Sequence, residues 1–253
     1  MKTSKKDLLL VKAYQTRAEM GKAAALDVKA CLLQLLEKKQ TVNVIFAAAP
    51  SQNEVLAALV ADTASPWERV RAFHMDEYIG LPEGAPQAFS NFLTDHIFSL
   101  VNFKEVYLIN STAKDPEAEC ARYTALLQEY PTDIVVMGIG ENGHIAFNDP
   151  PVADFNDPLA VKPVALDEIC RQQQVNDGCF ETLDAVPKTA ITLTVPTLMR
   201  ASHLFCVVPA PSKARAVYHT LQGEIGEHCP ATALRRHESA VLYLDSDSAA
   251  LLP

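Results

Sequence analysis

One feature constrains the fold of this chain more than any other. Short apolar runs of strand length alternate with longer stretches that carry helical spacing. Residues 42–48, 70–75, 106–109, 134–139, 190–195, 204–208 and 241–244 read as strands, and 8–11 is a further apolar run. Ala24, Val28, Cys31, Leu32, Leu35 and Leu36 recur at the spacing of one helix face. Thr16 followed by Glu19 offers that helix a capping box, and Ser51 followed by Glu54 offers a second helix start. Further helices are expected over 89–100, 117–130 and 213–221. Apolar strands separated by helices imply an α/β fold with a mainly parallel sheet and helices on both faces. No repeat or low-complexity linker divides residues 1–253, so a single domain is expected. Residues 149–187 break the alternation. They are rich in Pro, Asp and Gln and read as a loop or lid.

Composition narrows the function classes. Lys and Arg number 22 against 31 Asp and Glu, a net charge of -9. A general nucleic-acid binder needs a basic footprint, so that class is set aside. A local basic pocket for a small anion is still allowed. No apolar stretch approaches the roughly 20 residues of a membrane span. The apolar run at 8–11 is too short for a signal peptide. The six cysteines include no CxxC pair and lie mostly in apolar runs, as expected of reduced thiols in a cytoplasmic protein. The clustered Cys/His spacing of a zinc motif is absent, so no metal site is expected.

In open α/β sheets, ligands gather at the C-terminal ends of the strands. Three such ends carry chemistry. The first is Phe73-His74-Met75-Asp76-Glu77-Tyr78. Strand alternation points Asp76 and Glu77 in different directions, which argues against a close carboxylate dyad. Asp76 is either a functional carboxylate or a simple loop cap. The second is the segment from Gly138 to Pro150. The chain has nine glycines, and three fall within residues 138–143. That density calls for positive φ or close approach of a ligand to the backbone. The triplet fits GxGxxG, but it follows a late strand and Pro150-Pro151 interrupts any helix, so a dinucleotide site is rejected. His144 beside this turn can exchange a proton, with Asp149 to orient it, although a lone histidine is also commonly structural. The third is Val208-Pro209-Ala210-Pro211-Ser212-Lys213, where a lysine at a helix start makes either an anion site or a solvated first turn. The loop Ala47-Ala48-Ala49-Pro50-Ser51-Gln52 is a weaker second anion cradle.

Taken together, these segments resemble the glucosamine-6-phosphate deaminase/isomerase family, which is related to the 6-phosphogluconolactonases. Met75 to Pro82 is similar to the family's MDEYxGLP, and Gly138 to Pro150 to its GxGxDGHIAFNEP. Val186-Pro187-Lys188 with residues 190–201, the helix start at Ser212-Lys213-Ala214, and residues 230–237 resemble three further family segments. The order and spacing hold over nearly the whole chain. The resemblance implies a Rossmann-like fold and a cofactor-free reaction. An amino-sugar 6-phosphate, glucosamine 6-phosphate first, would give fructose 6-phosphate and ammonia. It also implies His144 as the ring-opening proton shuttle, Asp76 as the base moving a proton between C2 and C1, and Lys213 as a phosphate ligand. Ser51, Gln52 and Gly140 join it as substrate-binding residues.

Four departures stand out. Where the family usually flanks its histidine with an Asp and a Glu, this chain has Asn142 and Asp149. The phosphate loop lacks Gly and Thr. The family arginine before the VPK segment has no match, and Arg171 is the candidate substitute. Ala85-Pro86 replaces a histidine expected after MDEYxGLP. The alternatives to the deaminase reading are a lactonase-like hydrolase and a sugar-phosphate-binding regulator without turnover. The expected partner is a small sugar phosphate, with neither nucleic acid nor membrane. Assembly into a homo-oligomer stays open.

Overall fold

The computed structural model describes residues 1–253. Its main sheet has eight strands. In chain order they are β1 (Lys2–Lys6), β2 (Leu9–Ala13), β3 (Val42–Phe46), β4 (Val70–His74), β6 (Glu105–Tyr107), β7 (Ile134–Met137), β10 (His203–Val208) and β11 (Ala240–Leu244). Their spatial order is β1-β2-β11-β10-β7-β3-β4-β6, and every pairing is parallel except that of β1 with β2. A second, antiparallel sheet joins β5 (Asp76–Tyr78), β8 (Val161–Ala165) and β9 (Thr189–Leu193) in the order β5-β9-β8.

The central strands are buried on both sides, which is why they read as continuous apolar runs. Val42, Val44 and Phe46 of β3 pack into one core layer, while Ile45 packs into the other. β7 divides in the same way, with Ile134 and Val136 on one face and Val135 and Met137 on the other. The first layer is covered by α1 (Arg17–Leu36) and α2 (Asn53–Ala61). The second is covered by α4 (Pro116–Glu129), α6 (Val195–Met199) and α7 (Ala214–Gln222). Helices α3 (Phe89–Leu93) and α5 (Glu168–Asn176) complete the set.

α1 begins as its sequence predicts. The Thr16 hydroxyl accepts from the Glu19 amide at 3.2 Å, and the Glu19 carboxylate accepts from the Gln15 amide at 3.2 Å. Ser51 does not cap α2. A 3-10 turn over Pro50–Gln52 comes first, and no side chain caps the helix that follows. The helix expected over 89–100 is α3 continued by a π-helical turn at Thr94–Phe98. The strand expected over 190–195 leaves the parallel sheet and pairs antiparallel with β5 and β8. The segment 149–187 is not a bare loop, since it supplies both β8 and α5.

The connectivity fixes where a ligand can sit. After β3 the chain moves outward through β4 to β6. It then returns to β7 on the other side of β3 and moves away through β10 to β11. The order reverses between β3 and β7. The loops after those two strands therefore part and leave a crevice at the C-terminal edge of the sheet.

Candidate active site

A cavity occupies that crevice. Ala47, Ala48, Ala49, Ser51 and Gln52 line it from the loop after β3, and Met75 and Asp76 from the end of β4. Gly138, Ile139, Gly140 and His144 come from the loop after β7, and Lys213 from the turn before α7. Asp76, His144, Ser51, Gln52, Gly140 and Lys213 thus converge on one space from four chain segments.

β4 and β5 are separated by a single residue, Met75, where the chain passes from the parallel sheet to the antiparallel one. That transfer brings Asp76 to the cavity wall. Asp76 is 6% exposed and accepts no hydrogen bond from the protein. Burial raises its pKa well above the ordinary 3.8, and the neighbouring Glu77 charge raises it further. Glu77 faces elsewhere, as alternation requires. Its carboxylate accepts from the amides of Tyr78, Phe89 and Ser90 at 2.8–3.0 Å and so holds the start of α3. Burial raises the Glu77 pKa, and these amides pull it back.

His144 is held from behind. Its Nδ1 lies 2.7 Å from Oδ1 of Asn142 and 2.9 Å from Oδ1 of Asp149. The Asn142 Nδ2 donates to that same Asp149 oxygen at 2.9 Å. Two acceptors at Nδ1 place the ring proton there, which leaves the Nε2 lone pair free. Burial pushes Asp149 up, but His144 and Asn142 more than offset it and hold the carboxyl below its usual range. Asn142 and Asp149 do not line the cavity, and both contact His144, which does. The ring packs flat against the backbone of Gly140, where an added Cβ would fall 2.1–2.3 Å from its atoms. That approach accounts for one glycine of the triplet. Gly143, at φ +86°, accounts for another. Ala146, also on the cavity wall, has φ +47°, a strained value for a side chain with a Cβ.

Lys213 reaches the cavity through another turn. Ala210 has φ +85°, and its amide donates to the Asp245 carboxylate at 3.1 and 3.3 Å. Lys213 is 4% exposed and makes no ion pair or hydrogen bond within the chain. Burial lowers its pKa, while the Asp177 and Glu141 charges raise it. A buried, unpaired ammonium on a cavity wall is free to pair with an anion.

Ser51 and Gln52 line the same cavity. The Gln52 Nε2 donates to Ser51 Oγ and to the Val207 carbonyl, each at 3.1 Å, which ties the loop to β10. Arg171 does not join them. Its Nη2 donates to the carbonyls of Leu183 and Val186 at 2.6 and 3.0 Å, bracing the segment before β9. Residues 173 and 174 of α5 line the cavity, whereas the Arg171 guanidinium is held at those two carbonyls and does not line it.

Gln173 and Gln174 were not foreseen, and both line the cavity. Gln173 Oε1 accepts from the Glu141 amide at 2.8 Å, and its Nε2 donates to Asp177 at 3.3 Å. Gln174 is 7% exposed and uses none of its amide hydrogen-bonding capacity within the chain. Phe89 and Phe147, stacked with centroids 5.4 Å apart, supply an apolar wall. Gln173, Gln174 and Phe89 lie outside every motif segment, and amide and phenyl groups carry no titration signal. The one available cue was Asp167, whose carboxylate caps α5 by accepting from the Ile169 amide at 3.0 Å.

The model of the family described as glucosamine-6-phosphate isomerases/6-phosphogluconolactonase matches residues 15–161. The chain belongs to this family. A glucosamine-6-phosphate deaminase of Listeria innocua is 35% identical over 223 residues, covering 87% of this chain and 93% of its own. One of Bacillus cereus is 39% identical over 183 residues, covering 72% of this chain and 68% of its own. The solved structure of a monomeric glucosamine-6-phosphate deaminase superposes with a TM-score of 0.86 at 28% identity, covering 95% of this chain and 99% of that one. The 6-phosphogluconolactonase of Trypanosoma brucei matches the whole of both chains with a TM-score of 0.79, but at 17% identity this is a likeness of fold alone. No helix is long and apolar enough to cross a membrane.

Proposed function

We propose that the protein converts an amino-sugar 6-phosphate, with glucosamine 6-phosphate the leading candidate, and water into fructose 6-phosphate and ammonia. The carrying observation is the pairing, in one cavity, of an unbonded buried carboxylate with an unpaired buried ammonium. Asp76 has no partner in the protein and Lys213 has none either, so each is available to a substrate that brings a proton and an anion.

The residues divide the work. Lys213 receives the phosphate, with Ser51 and the amides of the loop after β3 beside it. Nε2 of His144 accepts the O1 proton of the pyranose and returns it to the ring oxygen, which breaks the C1–O5 bond and frees the aldehyde. Asn142 and Asp149 keep Nδ1 protonated during this step and steady the cation that forms. Asp76 then takes the C2 proton and delivers it to C1 through an enolamine. Its raised pKa suits this task, because a desolvated carboxylate is the stronger base. The imine left at C2 adds water and expels ammonia. Phe89 and Phe147 exclude bulk water from one side of the intermediate.

A lactonase reading requires a base to activate water and gives no role to the amino group. Relatives at 35% and 39% identity carry the deaminase name, which favours the first reading. We also infer a cytoplasmic setting, supported by six cysteines that are all free thiols, and no nucleic-acid partner, supported by the net charge of -9.

The test offers glucosamine 6-phosphate and 6-phosphogluconolactone separately to the purified protein. Ammonia from the first, with the second untouched, supports the deaminase. Rapid lactone hydrolysis without ammonia overturns it in favour of the hydrolase. Tight binding of the amino-sugar phosphate without turnover overturns it in favour of a regulator.

A further inference from the structure

Behind the cavity wall the fold collects three groups that the sequence keeps far apart. His144, Asp149 and Cys170 each present a donor atom, and the three atoms lie within 4.8 Å of one another. All three residues are buried, at 8%, 1% and 1% exposure. A fourth donor is at hand, since Oδ1 of Asn142 is 2.7 Å from the same Nδ1. The Asp149 carboxylate is only half used. Its Oδ1 serves His144 and Asn142, while the buried Oδ2 has no hydrogen-bond partner. A buried carboxylate oxygen without a partner is costly, and a cation is one remedy.

We propose that His144, Asp149 and Cys170, with Asn142 as the fourth ligand, form an inhibitory site for a soft divalent cation such as Zn²⁺. The donors are one imidazole nitrogen, one thiolate and two oxygens, a set that selects zinc or cobalt over magnesium or calcium. Zinc bonds of about 2.0–2.3 Å in a tetrahedron space the donors by roughly 3.3–3.7 Å. The short contacts at Nδ1 therefore open by a few tenths of an ångström, and the sulfur draws in. Binding releases the Cys170 thiol proton to solvent. It also moves the imidazole proton from Nδ1, now metal-bound, to Nε2. The nitrogen facing the cavity then carries a hydrogen instead of a lone pair, and His144 cannot accept the sugar O1 proton. The site would act as an off switch, responsive to the free concentration of a thiophilic metal.

Metal binding is read independently of turnover. Titrating Co²⁺ into the intact protein should produce a thiolate-to-cobalt charge-transfer band at one ion per chain, and Zn²⁺ should abolish it by competition. Cys170→Ser should remove the band and weaken Zn²⁺ binding, measured against a chromogenic chelator, by roughly tenfold or more. A surface groove lined by His219, His228 and Cys229 is the competing location. Loss of the band in Cys229→Ser, with the band intact in Cys170→Ser, overturns the proposal. X-ray absorption at the zinc edge of the wild type provides a second reading that needs no variant. One sulfur among the ligands is expected, and a shell of oxygen and nitrogen alone refutes the site. In turnover assays, stoichiometric Zn²⁺ should inhibit the wild type reversibly, while Cys170→Ala should keep its basal rate and lose the sensitivity. Equal inhibition of both proteins also refutes it.

Discussion

Replacing Asp76 by asparagine preserves the shape of the side chain and removes its basicity and charge. Two effects of opposite benefit follow. Loss of a positioned base costs on the order of 10²–10⁴ in rate, or about 2.7–5.4 kcal/mol of transition-state stabilisation. Binding of the sugar phosphate, set by Lys213 and the loop after β3, should hardly change, so the loss falls on kcat and not on KM. Stability moves the other way. The folded-state pKa of Asp76 lies well above 3.8 because burial and the Glu77 charge disfavour the anion. The folded protein therefore holds this proton more tightly than the unfolded chain does. As pH rises from the ordinary carboxylate value through the raised folded pKa, stability is progressively lost, and above that range the penalty is complete. The neutral amide carries no such penalty. Each pKa unit of elevation is worth about 1.4 kcal/mol, and each kcal/mol shifts Tm by about 2–4 °C for a protein of this size. The assay pairs steady-state kinetics with melting curves at pH 4 and pH 8. Asp76→Asn should be nearly inactive, match the wild type in Tm at pH 4 and exceed it at pH 8. Wild-type turnover removes Asp76 from the mechanism, and a Tm deficit at pH 8 contradicts the proposed strain on its anion.

Three further outcomes are expected. The acidic limb of the wild-type kcat profile should lie above the ordinary carboxylate pKa of 3.8, because Asp76 must be ionised to act; a flat profile down to pH 4 would exclude it as the base. Lys213→Ala should raise KM for the phosphorylated sugar and leave the unphosphorylated sugar unaffected, and equal effects on both would make the lysine structural. Gly140→Ala should cut kcat while the protein stays folded, because its Cβ would lie within 2.3 Å of the His144 ring and push it aside; a crystal structure with the ring undisplaced would refute that cause.

The legible parts of this chain are those where both faces of an element are buried or where a motif needs a special backbone. β3 and β7 announce themselves because every residue is apolar or enclosed. β1 is hidden, since Lys-Thr-Ser-Lys-Lys is polar throughout and pairs only at the sheet edge. β8 is hidden by Lys162 and Pro163, and without β8 as a visible partner β9 could not be assigned to a separate sheet. At the site, the glycine triplet marks where His144 must pack, and the strand ends mark Asp76. The role of Arg171 was not legible. It was the candidate substitute for the arginine missing before the VPK segment, but the carbonyls of Leu183 and Val186 hold its guanidinium away from the cavity. Nor was the proximity of Cys170 to His144 legible, because 26 residues of chain and the turn into α5 separate them.

The central claim is that this cavity removes the hydrogen from C2 of an amino-sugar phosphate. The most direct measurement follows the C2–H signal of glucosamine 6-phosphate by NMR while the protein acts on it. Loss of that signal in step with ammonia release and formation of a 2-ketose phosphate, with Asp76→Asn leaving it untouched, is the predicted result. A C2–H signal that persists in the presence of active wild-type protein, whether or not another bond is cleaved, would contradict the claim.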